Sequence, residues 1–358
     1  AVPALFDKRQ AKVTLPTDEF VRVNQGAVGH YIVRYTNPKH ANEIAKLVSN
    51  KQLGAAERLM LLSDSSMLAR AGSQPFDATL KLLEHYTSED SESVWDIMAL
   101  ILADARRFID EDPKLEDSIK ALIRELIETQ YTRLGWEEKP NEPSQDTKLR
   151  GTIIGLGVYA EHPEILARAL ELFETYKKDN KAVNPELRGI IFGAAVRHNS
   201  GNAFEYLIKL DETTSNVDLK QEIIGSLTLT RQDKQIATLL ERLKDSDQVR
   251  QQDVDHWLVY MLRSRYSRKQ SWKWLRDNWD WIEKTFSGDK SYDYFPRYAA
   301  SAFNTRPLME EYKDFFGPKK DQVVLARNIT MGIEEIGNRV AWLERDLACV
   351  QNYFKSRP

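Results

Sequence analysis

The sequence predicts a mainly α-helical protein: an irregular α-solenoid that curves into a bowl and is preceded by a few β-strands. Three observations lead to this prediction. Apolar residues alternate with polar ones between Val13 and Tyr35, they recur at the helical period of about 3.6 from Ala41 onward, and short turns separate the helical stretches. Because so many short helices cannot form one round bundle, we expect them to stack in pairs, as HEAT and armadillo repeats do.

The N-terminal stretch, residues 1–37, is predicted to form two or three strands. Turns are expected at residues 16–18 (PTD) and 24–26 (NQG), where Asn and Gly tolerate a positive φ. So few strands cannot bury both of their faces. We therefore expect the sheet either to pack on the helices or to have lost partner strands upstream. The alternating apolar residues are Val13, Leu15, Phe20, Val21, Val23, Tyr31, Val33 and Tyr35.

The helical region, residues 38–358, contains two conspicuous apolar faces. One is a stripe of five residues that we expect to lie in the core: Trp272, Leu275, Trp279, Ile282 and Phe286. The other is a heptad-like repeat near the end of the chain, from Ile329 to Phe354. This repeat fits either a coiled coil or a closing helix packed on earlier ones, and we favour the closing helix.

Composition argues against two classes of partner. Lys+Arg total 51 against Asp+Glu 54, a formal net charge of -3, so we expect no nucleic-acid partner. No stretch approaches the roughly 20 apolar residues of a membrane span, so we expect no membrane partner. The single cysteine, Cys349, cannot form an internal disulfide, which favours a reducing compartment and a cytoplasmic location.

A search for catalytic motifs predicts no catalytic residue and no metal ligand. No two of the six histidines lie within one helical turn of each other, so the zinc-peptidase motif is absent. The G-x-S-x-G and P-loop patterns are also missing. Residues 155–160 (GLGVYA) satisfy the dinucleotide pattern, but they continue a helical period, so we expect them to let two helices approach closely.

A basic cluster near residue 265 is interleaved with aromatic residues. It has two interpretations: a grip for a carboxylate or phosphate, or a solvated turn between helices. The cluster consists of Tyr260, Arg263, Arg265, Tyr266, Arg268 and Lys269.

Short motifs occur in a fixed order along the chain. They are FVRVN (20–24), GHYIVRY (29–35), ER (57–58), LLSD (61–64), AG (71–72), QQD (251–253), SWKWLRDNW (271–279), FNT (303–305), EYKDFF (311–316) and WLERD (342–346). Together they resemble the ERAP1-like C-terminal domain of the M1 zinc aminopeptidases. The resemblance covers about residues 5–354, nearly the whole chain.

The resemblance implies a role without catalysis. The family's zinc site and substrate clamp lie in an upstream half that this sequence lacks. The N-terminal strands would then close a truncated β-sandwich. We therefore expect a non-enzymatic chain without a cofactor of its own, whose partners are the zinc-binding catalytic domain of the same polypeptide and the peptide substrate. In the family the helical bowl covers the zinc cleft and opens to admit peptide.

Some family members also bind the far carboxylate of the peptide through basic and tyrosine side chains inside the bowl. Arg231 and Arg297 are the candidates that the resemblance implies here, and Tyr260 and Arg265 of the basic cluster join them as candidate peptide-binding residues. Two other functions stay open. One is a free-standing HEAT-like scaffold that binds a protein partner. The other is an autonomous enzyme, for which this chain alone should turn over an aminoacyl reporter; we expect no turnover.

Overall fold

The computed structural model describes residues 20–357, and this part of the chain is mainly helical, as predicted. It contains 17 α-helices. The first six are α1 (Pro38–Ser49), α2 (Ala55–Arg70), α3 (Phe76–Leu83), α4 (Glu92–Arg107), α5 (Leu115–Leu134) and α6 (Ser144–Tyr159). The next six are α7 (Pro163–Lys178), α8 (Pro185–Arg197), α9 (Ala203–Thr213), α10 (Val217–Leu227), α11 (Asp233–Arg242) and α12 (Val254–Arg263). The last five are α13 (Arg268–Asp277), α14 (Trp279–Phe286), α15 (Phe295–Ala302), α16 (Arg306–Phe316) and α17 (Val323–Ser356).

Local sequence sets several of the helix starts. The side-chain oxygens of Asn37, Asn184 and Asn216 accept backbone N–H groups in the first turns of α1, α8 and α10. Each satisfies one of the N–H groups that a helix start leaves unpaired. Proline occupies the first position of α1, α7 and α8, where its fixed φ favours the helix and no N–H is needed.

Eight helices form a row in which each contacts the next. The order is α2, α4, α6, α8, α10, α12, α15 and α17. Helices between them in sequence pack on the row: α5 on α6, α7 on α8, α9 on α10 and α16 on α17. Their buried residues join one hydrophobic core that runs from Ile44 to Phe354.

The last helix connects the end of the row to its beginning. Besides α15 and α16, α17 contacts α3 and α5. Its apolar repeat faces these neighbours, with Ile329, Ile336, Val340, Leu343 and Val350 at most 1% exposed. The predicted closing helix is therefore confirmed in preference to a coiled coil.

The glycine-rich stretch at residues 155–160 lies on α6 and its end, as the helical interpretation predicted. A Cβ on Gly157 would stand 2.3 Å from a methyl group of Ile165 on α7 and 3.2 Å from one of Ile127 on α5. The missing side chain therefore lets α6 pack closely against both neighbours. The dinucleotide interpretation fails because no strand precedes this glycine: Ser144–Tyr159 is helical throughout.

The prediction of β-strands is wrong for the described part of residues 1–37. Residues 20–37 contain one short 3-10 turn, Gln25–Ala27, and no strand. The expected Asn-Gly turn is present: Asn24 and Gly26 have φ of 56° and 76°. Val13 and Leu15, on which the first strand depended, lie outside the described residues.

Side chains of α2 take the place of a partner strand along this segment. The amide of Gly26 donates to Glu57 at 2.9 Å, and the amide of Val33 donates to Asp64 at 2.9 Å. Val33 and Tyr35 are half-buried while their neighbours are exposed. The alternation therefore identified which side chains face the helices, but two isolated strands gain too little from pairing to form a ladder.

Glu57 is the residue on which the path of this segment depends most. It accepts the amides of Gly26 and Gly54, and Arg22 lies 3.3 Å away. Because the hydrogen bond from Gly26 favours the ionised form, the pKa of this carboxyl lies below its ordinary value. We expect Glu57→Ala to lower the stability of the segment by about 1 kcal/mol and to speed hydrogen exchange of the Gly26 amide.

The pH dependence follows from the direction of the Glu57 shift. Because the pKa is lower in the folded chain, the stabilisation is complete at neutral pH and is lost as the pH falls through the folded-state pKa. Glu43→Ala, which removes an exposed carboxylate paired with Lys46, is the control. Equal exchange rates for Gly26 in the wild type and Glu57→Ala would contradict the assignment.

Candidate functional site

A cleft opens where the C-terminal ends of six row helices meet. α4, α6, α8, α10, α12 and α15 all end at its wall, and its volume is about 660 Å³. Residues in the last turns of these helices, or just after them, supply much of the lining. The charged and aromatic lining residues are Arg106, Arg107, Asp110, Glu116, Tyr159, Arg197, Arg231, Tyr260, Arg263, Arg265, Tyr266 and Arg268.

Helix direction explains part of the arginine content of this cleft. The C-terminal end of a helix carries partial negative charge on its unpaired carbonyl groups, so a basic side chain is stabilised in the last turn. Arg106, Arg197 and Arg263 stand in the last turns of α4, α8 and α12. With Arg107, which also ends α4, these account for four of the seven arginines that line the cleft of a chain whose net charge is -3.

Four of the arginines stack on two tyrosines. The guanidinium carbons of Arg106 and Arg197 lie 3.7 and 5.0 Å from the ring centroid of Tyr159. Those of Arg231 and Arg265 lie 4.8 and 5.5 Å from the ring of Tyr266. These separations are within cation–π range. We call this set the arginine–tyrosine ladder: Arg106, Tyr159, Arg197, Arg231, Tyr266 and Arg265.

Glu161 joins the two halves of the ladder. Its carboxylate lies 3.3 Å from Arg231, 4.0 Å from Arg197 and 3.0 Å from the buried Lys120. It follows the end of α6 with a φ of 52°, in the left-handed region that costs a non-glycine residue about 1–2 kcal/mol. The three cations around it offset this strain.

Charge and burial shift the pKa values of Glu161 and of Arg197 in the ladder. Burial acts to raise the pKa of Glu161, but Lys120, Arg197 and Arg231 together outweigh burial, so the pKa lies below its ordinary value. Burial first, and the charge of Arg231 second, lower the pKa of Arg197. In the described part of the chain the Nε–H groups of Arg197 and Arg231 are buried and have no acceptor.

Two ion pairs and an amide connect opposite walls of the cleft. Arg268 pairs with Asp110 at 2.6 Å, and Arg265 pairs with Glu116 at 2.8 Å. The amide of Asn304 also donates to Asp110, at 2.6 Å. Asp110 follows α4 and Glu116 lies in the first turn of α5, while the other partners lie beyond α12. These contacts therefore hold the early and late helices around the cleft.

The structure brings three of the four candidate peptide-binding residues together. Arg231, Tyr260 and Arg265 all line the cleft. Arg297 does not: it lies on α15, where its guanidinium pairs with Glu335 of α17. The basic cluster spans the last turn of α12, the connection to α13 and the start of α13, and all of its members except Lys269 line the cleft. A role for any of them in binding peptide stays a prediction.

Sequence analysis missed the other half of the ladder. This half lies at the ends of three helices that are far apart in the sequence: Arg106 on α4, Tyr159 on α6 and Arg197 on α8, with Glu161 just after α6. No local motif therefore unites these residues. One signal was present: Arg106 and Arg197 both occupy the last turn of a helix. That signal is weak, because basic residues are common at this position.

The described residues do not fit a metal centre. Within residues 20–357 no three His, Cys, Asp or Glu side chains are placed to hold an ion together. The acidic groups at the cleft are instead paired with arginine or lysine. Among the helices of the same range, none combines the length and the apolar composition that a membrane span requires.

Comparison with known proteins identifies one family over most of the chain. The profile described as "ERAP1-like C-terminal domain" matches residues 20–338. This range includes the row of helices as far as the middle of α17, and all the residues of the ladder.

The curated relatives are aminopeptidases that are longer than this chain. The chain is 30% identical to aminopeptidase N of Lactococcus lactis subsp. lactis over 93% of its own length and 39% of the relative's. It is 28% identical to aminopeptidase N of Lactobacillus helveticus over 93% and 39%, and 26% identical to glutamyl aminopeptidase of Rattus norvegicus over 96% and 36%. It thus spans less than two fifths of each relative. The chain belongs to the ERAP1-like C-terminal domain family of the M1 aminopeptidases.

Proposed function

We propose that this chain is the non-catalytic helical domain of an M1 zinc aminopeptidase and that its cleft helps to admit and position peptide substrates. The observation that carries the proposal is the meeting of Arg231, Tyr260 and Arg265 in one cleft at the helix ends. In this proposal the zinc site and the hydrolysis belong to a catalytic domain of the same polypeptide, because the chain spans only 39% of the first relative.

The shape that we propose is an irregular HEAT-like solenoid, curved as a bowl, that starts at Pro38. The packing of the helices supports this shape: each row helix packs on the next, and α17 packs on α3 and α5. Placed over a catalytic cleft, such a domain covers the reaction, excludes water and sets which peptides enter. A cytoplasmic location stays a prediction.

The terminal carboxylate of a peptide is the ligand group that the cleft fits best. A guanidinium offers parallel N–H donors that match a carboxylate, and a phenol adds a further donor. Arg231 is about one quarter exposed and keeps a buried Nε–H without an acceptor among the described residues. Its neighbour Tyr266 supports it from one side through the ring face. The guanidinium of Arg231 is therefore held in place and is partly open to a ligand.

The test compares a short uncharged peptide with a free terminal carboxylate against the same peptide with a terminal amide. We expect the 358-residue chain to bind the carboxylate form about tenfold more tightly by calorimetry. Arg231→Ala should remove most of that difference, since the alanine variant lacks the guanidinium donors.

The control variant is Arg327→Ala, which removes an exposed arginine of α17. It should leave the tenfold difference unchanged. Equal binding of the carboxylate and amide forms to the wild-type chain would contradict the proposal. Binding of a folded protein in the cleft, without any preference for a free carboxylate, would favour the scaffold function instead.

A further inference from the structure

Arg106 differs from the other arginines of the ladder because it has no acidic partner. Arg197 and Arg231 share Glu161, and Arg265 pairs with Glu116. No carboxylate among residues 20–357 lies within ion-pair distance of Arg106, which is exposed in the cleft. Its one close partner is the ring of Tyr159, at 3.7 Å.

The charge around the ladder favours an incoming anion. Four cations, namely Arg197, Arg231, Arg265 and Lys120, share the two carboxylates of Glu116 and Glu161, and Arg106 adds a fifth positive charge. The partial negative charges of the converging helix ends offset part of this excess. The offset acts on all the arginines that end a helix, so it does not explain why Arg106 alone in the ladder has no carboxylate.

Stacking leaves the donors of Arg106 available. A guanidinium that lies over a ring uses its face for that contact, while its N–H groups point outward in its own plane. Tyr159 therefore fixes the position of Arg106 without consuming its hydrogen bonds. A planar group held in this way loses little freedom when it binds a carboxylate, and a bidentate pair with an acid is its best match.

A peptide whose terminal carboxylate binds at Arg231 would leave Arg106 without an anion. Arg106 contacts Tyr159, whereas Arg231 contacts Tyr266, and Glu161 lies between the two halves of the ladder. The two guanidiniums are thus separate anion sites within one cleft. We propose that the cleft prefers acidic peptides and that Arg106 binds the side-chain carboxylate of an Asp or Glu that precedes the terminal residue. This inference rests on the proposed binding of the terminal carboxylate.

The test uses two peptides that share a free carboxyl terminus and differ only in having Glu or Gln at the preceding positions. We expect the wild-type chain to bind the Glu peptide about fivefold more tightly at low salt, and the preference to shrink as ionic strength rises. Arg106→Gln should bind both peptides alike and yet keep its preference for a terminal carboxylate over a terminal amide. Thermal unfolding checks that the variant stays folded.

Arg263→Gln is the matched control, because Arg263 is another exposed arginine of the same cleft outside the ladder. It should keep the preference for Glu. A preference for Glu that survives in Arg106→Gln would overturn the inference. Equal loss of the preference in both variants would also overturn it, since it would mean that the general positive charge of the cleft, and not Arg106, attracts the acidic peptide. If the wild-type chain shows no preference for a terminal carboxylate over a terminal amide, the proposed function is contradicted. The two failures are therefore distinguishable.

Discussion

Replacement of Trp272 by alanine is expected to lower the free energy of unfolding by about 3–5 kcal/mol, because it empties a fully packed site. Trp272 is 1% exposed on α13. Its ring lies 5.1, 5.5 and 5.9 Å from those of Phe303, Phe315 and Phe316, and its indole N–H donates to Glu311 at 2.9 Å. The cavity would lie where α13 packs against the end of α16 and against Phe303, which directly follows α15. Urea unfolding followed by circular dichroism measures the loss.

Trp274 provides a matched control two residues away on the same helix. It is half-buried, and its ring has one aromatic neighbour, Trp281, at 5.9 Å. Trp274→Ala should therefore lower the free energy of unfolding much less than Trp272→Ala does. Similar losses in the two variants would show that burial at Trp272 is not what stabilises this part of the core.

The same stretch shows what periodicity does and does not predict. All five residues of the predicted stripe are buried, at no more than 4% exposure, so the face was identified correctly. The single helix that the spacing implied is instead two, since α13 ends at Asp277 and α14 begins at Trp279. Asn278 stands at the junction and its amide donates to the carbonyl of Trp274. Periodicity indicates which residues face the core. The break between the two helices does not change that spacing, so periodicity could not predict it.

For the N-terminal segment, alternation identified the buried face correctly but predicted the wrong secondary structure. Its alternation is real, but alternation requires only that every second side chain faces inward. Whether the backbone forms a ladder depends on which acceptors are near, and here Glu57 and Asp64 of α2 supply them. Both carboxylates lie in motifs that sequence analysis had singled out, ER and LLSD. Their contact with residues 26 and 33 is not local, so the sequence alone did not reveal it.

Another motif explains how the two ends of the row are joined. Trp342 of WLERD lies 5.4 Å, edge to face, from the rings of both Phe76 and Phe108. Asp346 of the same motif accepts the amide of Phe76 at 3.1 Å, and Arg345 donates to a carbonyl at the end of α2. The motif thus fixes α17 on α3. The sequence predicted that α17 would be a packed helix, but only the structure shows its partner 270 positions away.

The candidate site lies between these extremes. Arg231, Tyr260 and Arg265 were singled out in sequence, by resemblance or by local clustering, and they meet in the cleft. Arg106, Tyr159 and Glu161 were not singled out, because nothing in the sequence around each of them indicates a binding site. They become a site only through the parallel stacking of α4, α6 and α8. A site built from equivalent ends of successive helices leaves no contiguous pattern in a chain without a strict repeat.

Removal of the Glu89 carboxylate is expected to cost about 3–5 kcal/mol, because the buried guanidinium of Arg58 then keeps only the half-exposed carboxylate of Asp90, 3.8 Å away, as an acidic neighbour. Arg58 and Glu89 are 8% and 3% exposed, and two N–H groups of Arg58 reach the two oxygens of Glu89 at 2.6 and 2.7 Å. Glu89 also accepts the amides of Asp90 and Ser91 where α4 begins. Glu89→Ala therefore removes a charge pair and two hydrogen bonds together.

Two further variants separate the charge from the packing in this pair. Glu43→Ala breaks an exposed pair with Lys46 and should cost less than about 1 kcal/mol. Adding Arg58→Met to Glu89→Ala should recover part of the loss, since an apolar side chain of similar length needs no counter-charge. If the double variant is as unstable as Glu89→Ala, the loss comes from the hydrogen bonds at the start of α4 instead. The buried ion pair would then contribute little to holding α2 against the first turn of α4.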